Sequence, residues 1–302
     1  MIKNVLLTGG TGFLGSHILK SLLNLDYSVI VLVRRSSDLK RIESLRKKIN
    51  LIYLDENYGN LNDLFSSNKI DTIIHTATEY GRSCSMSSIL QTNLILPIKL
   101  IEEGIKHNLK LFVNSDTFFG KPMYKNSSYL NEYTTSKKYF LDYLFDAKNK
   151  LKIVNMRLEH IFGENDSDNK FVTSILNQLI QNKQEILLTE GLQKRDFIYI
   201  DDVVSAYLIV LDNYKRLNDF TEFEVGRGES IKVRQFVEIL SKVIDSTSQL
   251  KFGVIAAREG EIQDSSAEVS NLKAIGWLPK YDIMQGINRM VDFEINNQDA
   301  KK

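Results

Sequence analysis

The sequence predicts an α/β protein: a Rossmann doubly wound parallel sheet with a smaller C-terminal α/β substrate lobe. Three observations predict it. An apolar run, Val5-Leu6-Leu7, leads into Thr8-Gly9-Gly10-Thr11-Gly12-Phe13-Leu14-Gly15 and then into a helical stretch opening Ser16-His17-Ile18-Leu19. Over the first half of the chain, short apolar segments alternate with helical ones, the pattern of parallel βαβ units with right-handed crossovers. The chain has 302 residues, 43% of them hydrophobic and 25% charged, enough for one large domain or two lobes around a substantial core.

The strand–glycine–helix unit comes first. Glycines at 9, 12 and 15 allow a tight turn and a close approach of backbone to a phosphate. The helix that follows offers free N–H groups and the positive end of its dipole. Tyr27 to Val33 predicts a second strand. It ends in Arg34-Arg35-Ser36-Ser37, where an NAD site usually places a carboxylate for the ribose hydroxyls. Guanidinium and hydroxyl groups suit a 2′-phosphate instead, so NADP(H) is the expected cofactor. Asn50 to Leu54 predicts a third strand, with Asp55 placed to approach the adenine.

Ile70 to His75 is a fourth strand, followed by Thr76-Ala77-Thr78-Glu79-Tyr80-Gly81, whose small residues leave room for a cofactor. A helix is expected over Gln91 to Gly104, carrying Asn93, with Pro97 on its exposed or bent part. Leu109 to Asn114 is a fifth strand ending in Ser115-Asp116-Thr117. The stretch from Asn131 to Phe145 reads as a helix with Tyr133 and Lys137 four apart on one face. A cation beside a phenol lowers its pKa, and such a phenol gives or takes a proton near neutral pH.

In the second half, strands are expected at Lys152 to Met156, Ile186 to Leu188, Glu222 to Val225 and Lys251 to Val254. Helices are expected at Lys170 to Gln181, Val233 to Ile244, Asn271 to Gly276 and from Tyr281 onward, with Trp277 as packing and Asn296 to Lys302 as a frayed tail. The expected division is a dinucleotide-binding domain over 1–157, with return segments near 195–230, and a substrate lobe over 158–302. Net charge of +1 gives no reason to expect nucleic acid or membrane partners. Cys84 is the single cysteine, read as a small buried filler in a chain without internal disulfides, which suits the cytoplasm. Met1 to Leu25 has a signal-like apolar character that the glycine turn interrupts, and no apolar run is long enough to cross a bilayer. No repeat and no metal site is expected.

Taken together, the glycine pattern, Ser115, the Tyr133/Lys137 pair and Asn93 resemble the extended short-chain dehydrogenase/reductase family, in its branch acting on nucleotide-activated sugars. Arg195-Asp196-Phe197-Ile198-Tyr199-Ile200-Asp201-Asp202 and Arg258-Glu259-Gly260-Glu261 are similar to two later signatures of that branch. The resemblance implies that Ser115, Tyr133 and Lys137 are catalytic. It implies a cofactor site from Gly9, Thr11, Gly12, Phe13, Leu14, Gly15, Arg34, Arg35, Asp55, Ala77, Asn93, Tyr133 and Lys137. Glu79, Tyr80, Asp116, Thr117, His160, Lys170, Arg195 and Arg258 would contact a nucleotide-diphosphate sugar, the two arginines at its diphosphate. His160 stands where the family often has asparagine. Thr117 replaces the glutamate that dehydratases use beside Asp116, and Arg34-Arg35 replace the carboxylate that epimerases keep. The expected activity is therefore NADPH-dependent 4-ketoreduction of a 4-keto-6-deoxy or 3,6-dideoxy sugar nucleotide. An NAD-dependent 4-epimerase and a cofactor-sensing regulatory protein are the alternatives. Helices near Tyr133 are expected to serve a homodimer, as in many relatives.

Overall fold

The computed structural model of the chain describes residues 2–55, 57–81, 84–124 and 130–299. Its main sheet has seven strands: β1 Asn4–Thr8, β2 Ser28–Val33, β3 Asn50–Tyr53, β4 Thr72–His75, β5 Leu111–Thr117, β6 Lys152–Leu158 and a last strand, Phe220–Val225. Starting from that last strand, the order continues β6-β5-β4-β1-β2-β3. β1 pairs in parallel on both sides, with Leu6 opposite Ile30 of β2 and opposite Ile73 of β4. β2/β3 and β4/β5 are parallel as well. The chain order reverses at β1, so the connections leaving β1 and β4 run in opposite directions and leave a crevice at the strands' C-terminal ends.

The central strands are apolar runs because both of their faces are covered; every residue of β4 and β5 is buried. Leu6, Ile73, Phe112 and Ile153 of the sheet join Leu100, Ile101 and Phe140 of the helices Leu96–Lys106 and Asn131–Ala147 in one apolar cluster. Asp71 ties the strands at their N-terminal ends. Its carboxylate accepts the backbone N–H of Lys3 and of Asn4, both at 3.1 Å, the Asn4 side-chain amide at 2.8 Å, and the Lys110 ammonium.

Contacts divide the chain into two compact units. The first holds Met1–Lys125, Leu130–Arg157 and the return segment Val204–Phe223; the second is built chiefly from Leu158–Val203 and Glu224–Lys302. In the second, His160–Phe162 pairs in parallel with Phe197–Tyr199, Glu185–Leu187 in parallel with Gln249–Lys251, and Lys194–Arg195 antiparallel with Ile231–Lys232. Phe197 stacks on Phe236 with ring centroids 4.0 Å apart, and Phe162 meets Phe236 edge-on. Two buried acids organise this unit. Asp196 accepts the N–H groups of Arg227, Gly228 and Ala267, and Asp202 those of Lys280 and Tyr281. Trp277 is buried and donates its indole N–H to the Asp202 carbonyl, in line with the expected packing role.

Several expectations are corrected. The helix expected at Gln91 begins at Met86 and changes pitch: a π-helical turn, Gln91–Ile95, precedes the α-helix Leu96–Lys106. Of the two settings expected for Pro97, exposed or bent, the structure shows the second: it is buried, next to the π-helical turn. It has no N–H to give, and the widened turn, in which the Leu96 N–H reaches back to the Gln91 carbonyl, absorbs that loss. The strand expected at Lys251 to Val254 is Gln249–Lys251, because Gly253 takes a positive φ of 83° and Val254 is exposed. The last helix runs from Ile283 to Asp299, through the start of the expected frayed tail. The remainder of that tail lies outside the described residues. Cys84 is partly exposed and so is not a buried filler.

Candidate active site

The glycine loop sits where β1 meets the helix Phe13–Asn24. Gly9 has φ of 69°, and a Cβ there would lie 2.5 Å from the Ala77 nitrogen. A Cβ on Gly15 would lie 2.1 Å from the Gly9 carbonyl oxygen, so the helix can press onto the loop only with glycine at that position. Gly12 is the N-cap and offers no side-chain cap, and the first turn carries no acid. The free N–H groups and unopposed dipole end fit a diphosphate. Phe13 and Leu14 are half-buried at the start of that helix. Thr11 receives Arg41 on its carbonyl at 3.4 Å. Arg34 and Arg35 are exposed just past β2, with the Arg34 N–H bonded to the Ser37 hydroxyl. Asp55 turns its carboxylate onto the N–H groups of Gly59 and Asn60, closing a local turn.

Asn93 lies in the π-helical turn and is fully buried. Its amide accepts the Glu79 N–H at 2.8 Å and donates to the Glu79 carbonyl at 2.8 Å and to Ser136 Oγ at 2.9 Å. One side chain thus fixes the loop after β4 to the helix that carries Tyr133. Ala77 donates its N–H to Thr8 Oγ1 at 3.4 Å. Tyr80 follows the clamped Glu79, and its ring lies 5.0 Å from the Tyr133 ring.

Tyr133 and Lys137 are buried on one face of the helix Asn131–Ala147. The Lys137 ammonium donates to the Ser115 carbonyl at 2.8 Å. Burial pulls Lys137 down to about 8, and the negative charge of Asp116 acts against that. Tyr133 is pushed well up, by burial first and then by Tyr80, while a hydrogen bond with the Thr117 side chain works the other way. This corrects the expectation that Lys137 lowers Tyr133: burial dominates, and the ammonium is turned to a carbonyl. Ser115 Oγ is 2.7 Å from the Tyr207 hydroxyl. Asp116 is held by Asn155 Nδ2 at 2.9 Å, with Arg157 Nε 3.9 Å away. Asn155 and Arg157 both also donate to Glu222. So the first unit brings Tyr80, Ser115, Asp116, Thr117, Tyr133 and Lys137 into one cluster.

In the second unit, Arg195 is buried and three of its hydrogen bonds are internal. Nη1 donates to the carbonyls of Lys194 and Ile262, and Nη2 to Glu261 Oε1 at 2.8 Å. His160 lies beside it. Burial and then the Arg195 charge hold His160 down to about 3, so it is neutral at pH 7. Its neighbour Glu159 is buried and accepts the Ser265 hydroxyl. Lys170 is the N-cap of the helix Phe171–Ile180, and Arg258 is exposed.

No role for Tyr207, Asn155, Glu222 or Arg41 was read from the sequence. Tyr207 meets Ser115 from 92 residues away and Asn155 meets Asp116 from 39, and no local spacing announces such pairs. Glu261 stood inside a recognised signature without a partner; the structure supplies Arg195.

The sequence matches the NAD dependent epimerase/dehydratase family over residues 5–226. It is 34% identical to CDP-abequose synthase of Salmonella typhimurium over 292 residues, covering 95% of this chain and 97% of that protein. It is 24% identical to a putative UDP-glucose 4-epimerase of Methanocaldococcus jannaschii, covering 97% and 99%. The fold is shared with the UDP-glucose 4-epimerase of Thermotoga maritima, at a TM-score of 0.85 and 23% identity over 98% of this chain and 99% of that one. The family match, the Salmonella relative and the seven-stranded sheet agree: the chain belongs to the NAD dependent epimerase/dehydratase family, the extended short-chain dehydrogenase/reductases.

Proposed function

We propose that the protein reduces, with NADPH, the C4 ketone of a nucleotide-linked 4-keto-6-deoxy or 3,6-dideoxy hexose, a step toward a bacterial surface polysaccharide. The observation that carries this reading is the cluster of Tyr133, Ser115, Thr117 and Lys137 in the unit that also holds the glycine loop. NADPH, when bound, supplies the hydride to C4. The raised pKa of Tyr133 keeps its proton on at neutral pH, as a reduction requires of the group that protonates the new alkoxide. Ser115 offers its hydroxyl to the ketone oxygen, so that negative charge developing there meets a fixed donor. Lys137, anchored on the Ser115 carbonyl, would hold the nicotinamide ribose. Arg195 and Arg258 of the second unit are the residues that the resemblance assigns to the diphosphate, and a guanidinium suits its oxygens.

Two further points support the reductase. Arg34 and Arg35 lie exposed at the end of β2, with Arg41 reaching the glycine loop nearby, a setting for a 2′-phosphate. The carboxylate of Asp116 is occupied by Asn155 and by the nearby Arg157, and Thr117 stands where dehydratases carry a base. The test is cofactor oxidation with a panel of CDP-, dTDP-, UDP- and GDP-4-keto-6-deoxy sugars, comparing NADPH with NADH. Stoichiometric NADPH consumption with one member is expected. Interconversion of two sugar nucleotides on retained NAD, without net consumption, would replace the reading with 4-epimerisation.

A further inference from the structure

The Ser115 hydroxyl has a partner that neither the family pattern nor the local sequence announces. Tyr207, on the helix Ile200–Asn213, is 1% exposed, and its hydroxyl lies 2.7 Å from Ser115 Oγ. The direction of that hydrogen bond follows from counting donors. A tyrosine hydroxyl has one hydrogen, and among the described residues Ser115 is the partner the Tyr207 oxygen has. Were Ser115 the donor, the Tyr207 hydrogen would be buried with no acceptor, a cost of about 1–3 kcal/mol. With a ketone oxygen bound to take the Ser115 hydrogen, both hydroxyl hydrogens are satisfied only when Tyr207 donates and Ser115 accepts. Burial raises the Tyr207 pKa, so the phenol remains a donor across the working pH range.

The consequence falls on the Ser115 hydrogen. Ser115 receives through its oxygen, so its own O–H is left to donate. A hydroxyl that already accepts a bond is a stronger donor, because successive hydrogen bonds polarise one another. We propose that Tyr207 is a positioning residue: it fixes the Ser115 rotor and polarises its O–H toward the C4 oxygen of the sugar nucleotide. This rests on the C4 chemistry proposed above. It applies equally to net reduction and to epimerisation, because both pass through the same ketone.

The test is a double-mutant cycle on the protein of residues 1–302. Tyr207→Phe, Ser115→Ala and the double variant are compared in kcat, in Kd for the sugar nucleotide and for NADPH by calorimetry, and in Tm. Tyr207→Phe is expected to lower kcat roughly tenfold, a fraction of what a direct oxyanion donor is worth. Both Kd values should stay within roughly twofold, because the interaction strengthens as charge develops on the oxygen. In the Ser115→Ala background the same change should leave kcat unaltered. A purely structural role would move Tm and lower kcat alike in both backgrounds, and that result would overturn the proposal. Full turnover by Tyr207→Phe would overturn it too, leaving the functional reading intact. Absence of turnover by the wild-type protein across the whole panel would remove both.

Discussion

Tyr133 and Lys137 are both buried, and their ionisation is set by burial before any charge. Tyr133→Phe keeps the ring and its contact with Tyr80 but removes the proton. Turnover should fall by about 10²–10⁴-fold while NADPH binding, followed by fluorescence titration, stays nearly constant. Lys137 gives a pH signature. Its proton leaves near pH 8 in the free protein, so kcat/KM should fall as pH rises through about 8. Asp116 raises Lys137, so Asp116→Asn should move that fall to lower pH. A pH profile unchanged by Asp116→Asn would detach the carboxylate from Lys137. Asn93 shows how little of a residue's role its type conveys: its amide is spent on Glu79 and Ser136, shaping the site from behind.

Among the elements, the turn between β1 and the helix Phe13–Asn24 is the least tolerant. A methyl at Gly15 would sit 2.1 Å from a backbone oxygen that has no side chain to swing aside. Gly15→Ala should therefore abolish measurable NADPH binding and lower Tm, whereas Gly120→Ala, where a Cβ meets nothing within 4 Å, should do neither. At the other end of the strands, Asp71 joins β1, β4 and Lys110. Burial raises this carboxyl, but Lys110 and the N–H groups of Lys3 and Asn4 outweigh it and hold it below its ordinary 3.8. Its stabilisation is thus fully present above about pH 4 and is lost as pH falls further toward its folded-state value. Asp71→Asn should cost about 2 kcal/mol at pH 7 by urea unfolding, modest for a buried pair because Lys110 is partly exposed. The difference between variant and wild type should shrink as pH falls below about 4.

For the molecule as a whole, cofactor choice is the property that separates a consuming reductase from an enzyme that recycles NAD. Exchanging Arg34 and Arg35 for alanine together should raise the KM for NADPH by roughly tenfold or more and leave that for NADH unchanged, since each guanidinium–phosphate contact is worth on the order of 1–2 kcal/mol. Equal effects on both cofactors in steady-state assays would mean that these arginines read the common part of the dinucleotide. In the second unit, the Arg195–Asp202 signature divides its labour. Asp196 and Asp202 hold backbone N–H groups, Phe197 packs in the core, and Arg195 is oriented by Glu261. A pattern recognised for its arginine is, for the most part, a set of folding instructions.

By itself the sequence determined the doubly wound class, the glycine loop, the helical Tyr133–Lys137 pair and most element positions in the first unit. These depend on apolar periodicity, on turn residues and on spacings within one helix, all of which are local. It fell short where the physics is not local. The π-helical turn at Gln91–Ile95 accommodates a buried proline, and hydropathy carries no trace of it. The pKa order of Tyr133 and Lys137 follows from desolvation, which depends on how deeply the packed chain covers them. The pairings Ser115–Tyr207, Asp116–Asn155 and Arg195–Glu261 join residues 92, 39 and 66 positions apart. Only the tertiary structure decided them, because a buried polar group must find its partner in space, and the chain brings that partner there only when it folds.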